Sequence, residues 1–158
     1  RLPEAQLDRF LMKTSIGYPG REAGIDVILG SAAPDRTRTL DPVISTKAVA
    51  DMADLAANNY VDRSIAAYVQ DLCEASRADS EVRIGVSTRG AIAMMRAARV
   101  WAIAQGRNFV IPDDVQALAT RVWAHRLVLD PDAEFGGATR EGVIERALGA
   151  VAAPVMKG

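Results

Sequence analysis

The stretch from Gly85 to Gln105, GVSTRGAIAMMRAARVWAIAQ, constrains the fold more than any other. It reads as a helix opened by a small polar turn. Ser87 is placed to be the N-cap, its hydroxyl taking up a free backbone N–H of the first turn. Ala91, Met94, Met95, Ala98, Trp101 and Ala102 recur at three- and four-residue spacing and form an apolar face. The other side carries Arg89, Arg96 and Arg99, with Ile92, Val100 and Ile103 between them. A helix that is apolar nearly all round is surrounded in the fold. This predicts the central helix of a bundle, with one arginine stripe reaching a charged ligand or partner. Arg89 stands in the first turn, where the helix dipole disfavours a cation, so a negative group beside it would account for its position. Pairing of the arginines with carboxylates of neighbouring helices is the simpler reading, because structural ion pairs are commoner than sites.

The chain has 158 residues, 49% of them apolar and 25% charged, which suits one or two small globular units with a real core. A net charge of −1 offers no broad surface for nucleic acid or an anionic membrane. With one Cys, Cys73, and one His, His125, neither a disulfide framework nor a His/Cys metal site can be built within the chain. A reducing, cytoplasmic setting is the simplest fit. No run of about 18 apolar residues marks a membrane span, and no signal peptide is visible. The chain starts at Arg1, without Met, and reads as a piece of a longer protein.

Residues 1–10 hold a short helix, with Pro3 suited to its first position. Phe10 to Ile16 is a strand candidate, and a lone strand needs a partner that the rest of the sequence does not offer. Arg21 to Leu29 reads as a helix stopped by Gly30, and residues 31–44 as a polar linker. A domain boundary is expected near Pro19 or within this helix and linker. Ser45 caps a helix over Thr46–Ala57 with Val49, Met52, Ala53 and Ala56 on one face. Asp62 caps another over Arg63–Ala78 with Ile65, Tyr68, Val69, Leu72 and Ala75 facing inward. Cys73, beside that face, reads as a small buried apolar residue rather than a nucleophile. Residues 79–86 form a loop or short edge strand. Pro112, Asp113 and Asp114 start a helix whose stripe is Val115, Leu118, Ala119, Val122 and Trp123. His125 and Arg126 fall in its last turn, where cations are favoured. Residues 127–138 read as a loop, and Thr139 caps a final helix with Val143, Ile144, Ala147, Leu148 and Val151 inward.

Neither G-x-x-x-x-G-K-[ST] nor G-x-G-x-x-G occurs, and no G-x-S-x-G turn presents a nucleophile. The acids Asp113 and Asp114 look structural. What remains is a set of arginines, Arg9, Arg21, Arg89, Arg96 and Arg99. Each can hold phosphate oxygens through a planar two-point fork. Without a phosphate loop they can only assist a nucleotide site made by other residues.

LPEAQLDRFLMKTSIGYPGRE resembles the end of the ATPase core in MoxR-type AAA+ ATPases. GVSTRGAIAMMRAARVWAIAQGRNFVIPDDVQALA resembles the second-sensor helix of that family and the helix after it, and HRLVLDPDAEFGG with its closing helix fits the family's tail. The likeness covers essentially the whole chain. It implies a mainly α fold: a helical-bundle lid over residues 20–158, preceded in residues 1–19 by a short helix and strand from the end of an α/β nucleotide-binding core. The phosphate loop, Walker B and first-sensor motifs would lie upstream. Arg89 matches the second-sensor arginine, which reaches the γ-phosphate from the lid, and a helix N-terminus suits that phosphate. The family more often has Ala-Ser-Pro-Arg-Ala around this arginine. Ser87 and Arg89 match it, whereas Val86, Thr88 and Gly90 differ. Arg9, in EAQLDRF, matches the arginine finger that enters a neighbouring subunit's site; its simpler reading is a local pair with Asp8 or Glu4. Arg96 and Arg99 are left to structural or interface roles.

The resemblance implies ATP and Mg²⁺ as cofactors, held largely by residues outside this chain, and no metal site within it. It implies partner subunits in a ring, a hexamer, and chaperone-like remodelling or maturation of protein clients, some with von Willebrand factor A domains. No nucleic acid and no membrane span are expected, and the chain alone is expected not to hydrolyse ATP. Two other classes fit the residues: a non-enzymatic helical adaptor that binds protein through its arginine stripe, and a helix-turn-helix DNA binder. The second is disfavoured by the near-neutral charge and few lysines.

Overall fold

The computed structural model describes residues 4–30 and 40–155. In chain order the elements are α1 (Glu4–Leu7), α2 (Arg21–Leu29), α3 (Thr46–Ala57), α4 (Arg63–Ala78), β1 (Val82–Ile84), α5 (Thr88–Ala104), α6 (Pro112–Trp123), a 3₁₀ turn (Ala124–Arg126), β2 (Val128–Leu129), α7 (Pro131–Phe135) and α8 (Arg140–Ala150). Helix α5 lies at the centre, against α3, α4 and α6, and α8 closes over α4 and α6. The core is a continuous apolar cluster that includes Ile65, Tyr68 and Leu72 of α4, Met94 and Ala98 of α5, Val115, Val122 and Trp123 of α6, and Val143 and Ile144 of α8. The fold is therefore the mainly α bundle that the helical periodicities predict.

The caps explain where the helices start. Ser45 accepts from the Ala48 N–H, Asp62 from Ser64, Ser87 from Gly90 and Thr139 from Gly142, each relieving a donor that the first helical turn leaves unpaired. Helix α6 begins differently. Asp114 turns back to accept the Ile111 N–H at 2.9 Å, and Arg107 closes on the same carboxylate with both terminal nitrogens, so Asp114 is buried and structural as expected. Gly106 ends α5 at φ 75°, a left-handed conformation that a side chain would strain.

Several expectations need correction. The buried face of α5 is Gly90, Ala93, Met94, Ala97, Ala98 and Ala102, so it is rotated from the predicted stripe: Trp101 points outward, and Ala91 and Met95 sit on the margin. Small side chains at Gly90, Ala93 and Ala97 are what allow close packing on that side. In α3 only Ala56 is buried, and Val49 and Met52 are more than half exposed. Residues 10–16 find no strand partner among the described residues. Their chain bends at Phe10 and Leu11 and forms no regular element after that, and Lys13 N–H donates to the Arg121 carbonyl at 2.8 Å. The loop expected at 127–138 contains β2 and α7, and β2 pairs antiparallel with β1, Val82 opposite Leu129 and Ile84 opposite Val128. The linker's residues 31–39 lie outside the described residues.

Candidate functional site

Arg89 projects from the first turn of α5, and its position follows from how Val86 and Ser87 are held. Ser76 of α4 donates to the Cys73 carbonyl and accepts the Val86 N–H at 3.0 Å, while Arg77 Nε donates to the Val86 carbonyl at 2.9 Å. The residue before the cap is thus pinned to α4 on both its backbone groups. Ser87 then caps α5 through its Oγ, which accepts from Gly90 N–H at 3.1 Å. The same hydroxyl donates to the Asp8 carboxylate, 3.1 Å from each oxygen.

Asp8 is the meeting point of two distant parts of the chain. Arg126, whose side chain is 2% exposed, donates through Nη1 to both the Asp8 carboxylate and the Asp8 carbonyl, each at 2.6 Å. Its Nη2 reaches the Phe10 carbonyl at 2.5 Å, and its Nε the Val122 carbonyl of α6 at 2.8 Å. A buried guanidinium is costly unless its donors are satisfied, and here backbone carbonyls and one carboxylate satisfy them. Next to it, His125 Nε2 donates to the same Phe10 carbonyl at 3.1 Å. Burial pulls the His125 pKa below its ordinary value, against the opposing pull of that carbonyl. The segment Asp8–Phe10 is therefore clamped to the end of α6 and the start of α5.

This arrangement leaves Arg9, Arg89 and Arg96 exposed. Their side chains make no hydrogen bond or ion pair among the described residues. The local Arg9–Asp8 pair is replaced by Arg126–Asp8, because the buried guanidinium lies where it can use both the carboxylate and the adjacent carbonyls. The Glu4 side chain lies outside the described residues. The expected pairing of the α5 arginines with carboxylates is also corrected: Arg99 instead donates to the Ala57 carbonyl at 2.9 Å, at the end of α3. Arg21 forms an exposed pair with its neighbour Glu22. Arg9 and Arg89 thus flank one junction, one residue from Asp8 and two from Ser87 respectively. Sequence reasoning read Arg126 only as a cation favoured at a helix end and Asp8 only as a neighbour of Arg9. The run from Asp8 to Phe10 held no sign of a partner 118 positions on.

Two departures around Arg89 explain one another. A Cβ on Gly90 would lie 2.7 Å from Val86 Cγ1 and 3.3 Å from Arg126 Cδ. Val86 therefore fills the space that an alanine at position 90 would need. The Gly90 carbonyl also accepts from Trp123 Nε1 at 3.0 Å, so α6 is locked against the same turn. Cys73 is fully buried, and burial pushes its thiol up to about 11, which fits a packing residue rather than a nucleophile. Among the described residues no group of three or more His, Cys, Asp or Glu side chains is gathered to hold a metal, and no helix is long and apolar enough to cross a membrane.

Residues 74–155 match the family model described as the AAA lid domain. The chain is 38% identical over 156 residues to YeaC of Bacillus subtilis, a protein named as uncharacterized, and covers 99% of this chain and 49% of that protein. It is 36% identical to "Chaperone MoxR1" of Mycobacterium tuberculosis, over 97% of this chain and 42% of that one. The crystal structure of a candidate ATPase from Cytophaga hutchinsonii superposes with a TM-score of 0.84 at 27% identity, over 98% of this chain and 50% of its own. The chain thus spans about half the length of the proteins it is similar to.

Proposed function

This chain belongs to the AAA lid domain family and is of the MoxR type, and from that premise we propose that its exposed arginines serve ATP hydrolysis in a ring of such subunits. Residues 20–158 form the lid in this reading, and residues 1–19 the end of the nucleotide-binding core. The observation that carries it is the pair Arg9 and Arg89. Both are exposed cations without partners among the described residues, one on either side of the Ser87–Asp8–Arg126 junction. An arginine kept free at the positive end of a helix is electrostatically unfavourable on its own. An anion in front of α5 reverses that, since the guanidinium and the helix N-terminus would both face it.

ATP, when bound, supplies the phosphoryl group whose transfer drives the cycle. Arg89 would hold the terminal phosphate from the lid of its own subunit. Its fork fits phosphate oxygens, and its helix turn is fixed by Ser87 and by the Val86 clamp. Arg9 would be presented to the neighbouring subunit, where an arginine finger stabilises the charge of the transition state and is worth roughly 10³–10⁵ in rate. Mg²⁺ would be held by residues outside this chain. One relative is named "Chaperone MoxR1", which supports chaperone-like remodelling of protein clients; clients with von Willebrand factor A domains and a cytoplasmic hexamer are what the resemblance to the MoxR type adds to this proposal.

The test is steady-state ATP hydrolysis by the full-length protein. Arg9→Ala is expected to reduce kcat by roughly 10³-fold with little change in KM, and Arg89→Ala to reduce kcat/KM. Full activity of both variants would exclude the reading.

A further inference from the structure

Four polar groups from three distant stretches of the sequence meet in one place: the Ser87 hydroxyl, the Asp8 carboxylate, the Arg126 guanidinium and the Phe10 carbonyl. Each link has a separate structural job. Ser87 Oγ is both the cap of α5 and a donor to Asp8. Asp8 takes that donor and Arg126 together. Arg126 also donates through its terminal nitrogens to the carbonyls of Asp8 and Phe10, the residues on either side of Arg9, while its Nε holds the Val122 carbonyl. The backbone around Arg9 is therefore fixed from both flanks, while the Arg9 side chain is left free and exposed. The other end of the same network is the first turn of α5, which carries Arg89. Nothing else in the described residues ties these two segments so directly.

We propose that the Ser87–Asp8–Arg126 junction is a positioning device that couples Arg9 to the start of α5, so that engagement of Arg89 in one subunit sets how Arg9 is presented to the next. This rests on the assignment of Arg9 and Arg89 to nucleotide chemistry. Arg126, Asp8 and Ser87 touch no nucleotide in this scheme. They act through the two arginines. A shift of the α5 N-terminus pulls on Asp8 through the Ser87 hydroxyl, and Asp8 adjoins Arg9 in the chain. The Arg126 fork keeps Asp8–Phe10 from moving independently, because one rigid planar group holds the carboxylate and two carbonyls at once.

Ser87 gives the cleanest test, since glycine is nearly as good an N-cap as serine but has no hydroxyl to donate. In the full-length protein Ser87→Gly is expected to lower kcat for ATP roughly ten-fold and leave KM within about two-fold, the pattern of an interaction lost only in the transition state. Its unfolding temperature should stay within about 3 °C of the parent. Ser87→Thr, which keeps the hydroxyl, should restore at least half of kcat. The double variant Ser87→Gly with Arg9→Ala should be no slower than Arg9→Ala alone, because coupled residues are not additive. The proposal is overturned if Ser87→Gly keeps more than half of kcat, if its loss lies in KM, or if it multiplies with that of Arg9→Ala. If Arg9→Ala itself remains fully active, the finger assignment falls first; if it is slow while Ser87→Gly is not, only the coupling falls.

Discussion

Helices α3 (Thr46–Ala57) and α5 (Thr88–Ala104) open in the same way, yet they end in opposite surroundings. Each has a serine cap accepting the N–H three residues on, Ala48 in one and Gly90 in the other. Each has apolar residues at helical spacing. In α5 that face is buried between α4 and α6, whereas in α3 Val49, Met52 and Leu55 are all more than half exposed and only Ala56 is covered. The cap makes the difference plain. Ser87 is tied onward to Asp8, while Ser45 accepts the Ala48 N–H within its own helix. Periodicity states that a helix has an apolar side. It does not state what covers that side, and among the described residues the bundle from α4 to α8 is closed while the apolar face of α3 is open.

The comparison can be broken by truncation in each region. Leu72→Ala, at a fully buried position of α4, is expected to cost about 2–5 kcal/mol in this chain. Met52→Ala in α3 should stay within about 0.5 kcal/mol, as exposed substitutions do. Denaturant unfolding of both variants checks this, and a Met52→Ala cost near that of Leu72→Ala would show that the α3 face is covered in solution. The same pair in the full-length protein sharpens the contrast: a larger Met52→Ala cost there would locate α3's cover outside this chain.

A smaller effect is expected at the turn beside Arg89. Gly90→Ala should gain helix propensity but force a contact 2.7 Å from Val86 Cγ1, a net loss of about 1–3 kcal/mol. Adding Val86→Ala should recover most of it, because the offending methyl is then gone. A double-mutant cycle by thermal unfolding reads the coupling directly. Additive losses would mean that Val86 and Gly90 do not compensate one another.

Much of the fold was legible because its signals are local. Ser45, Asp62, Ser87, Pro112 and Thr139 mark helix starts through chemistry contained in three or four residues, and the helices begin at the expected places. The rotation of the α5 face was not legible. Trp101 and Met95 fit an apolar stripe as well as Ala93 and Ala97 do, and only the close approach of α6 favours the small ones. The strand expected at Phe10–Ile16 is a non-local matter of a partner, and none is present among the described residues. In the candidate site, Arg9 and Arg89 were singled out through a family likeness, and Arg89 also through its place in a first helical turn. Arg126 and Asp8 were not, because a contact across more than a hundred residues leaves no pattern in either segment.

The measurement that tests the central claim most directly is ATP hydrolysis by mixed full-length subunits, one set carrying Arg9→Ala and the other a disabled phosphate-loop lysine. Each alone should be nearly inactive. If Arg9 acts across a subunit boundary, the mixture regains activity, since an intact phosphate-loop site in one subunit then meets an intact Arg9 from its neighbour. A mixture no more active than its components, or an Arg9→Ala protein that is fully active alone, would contradict the account.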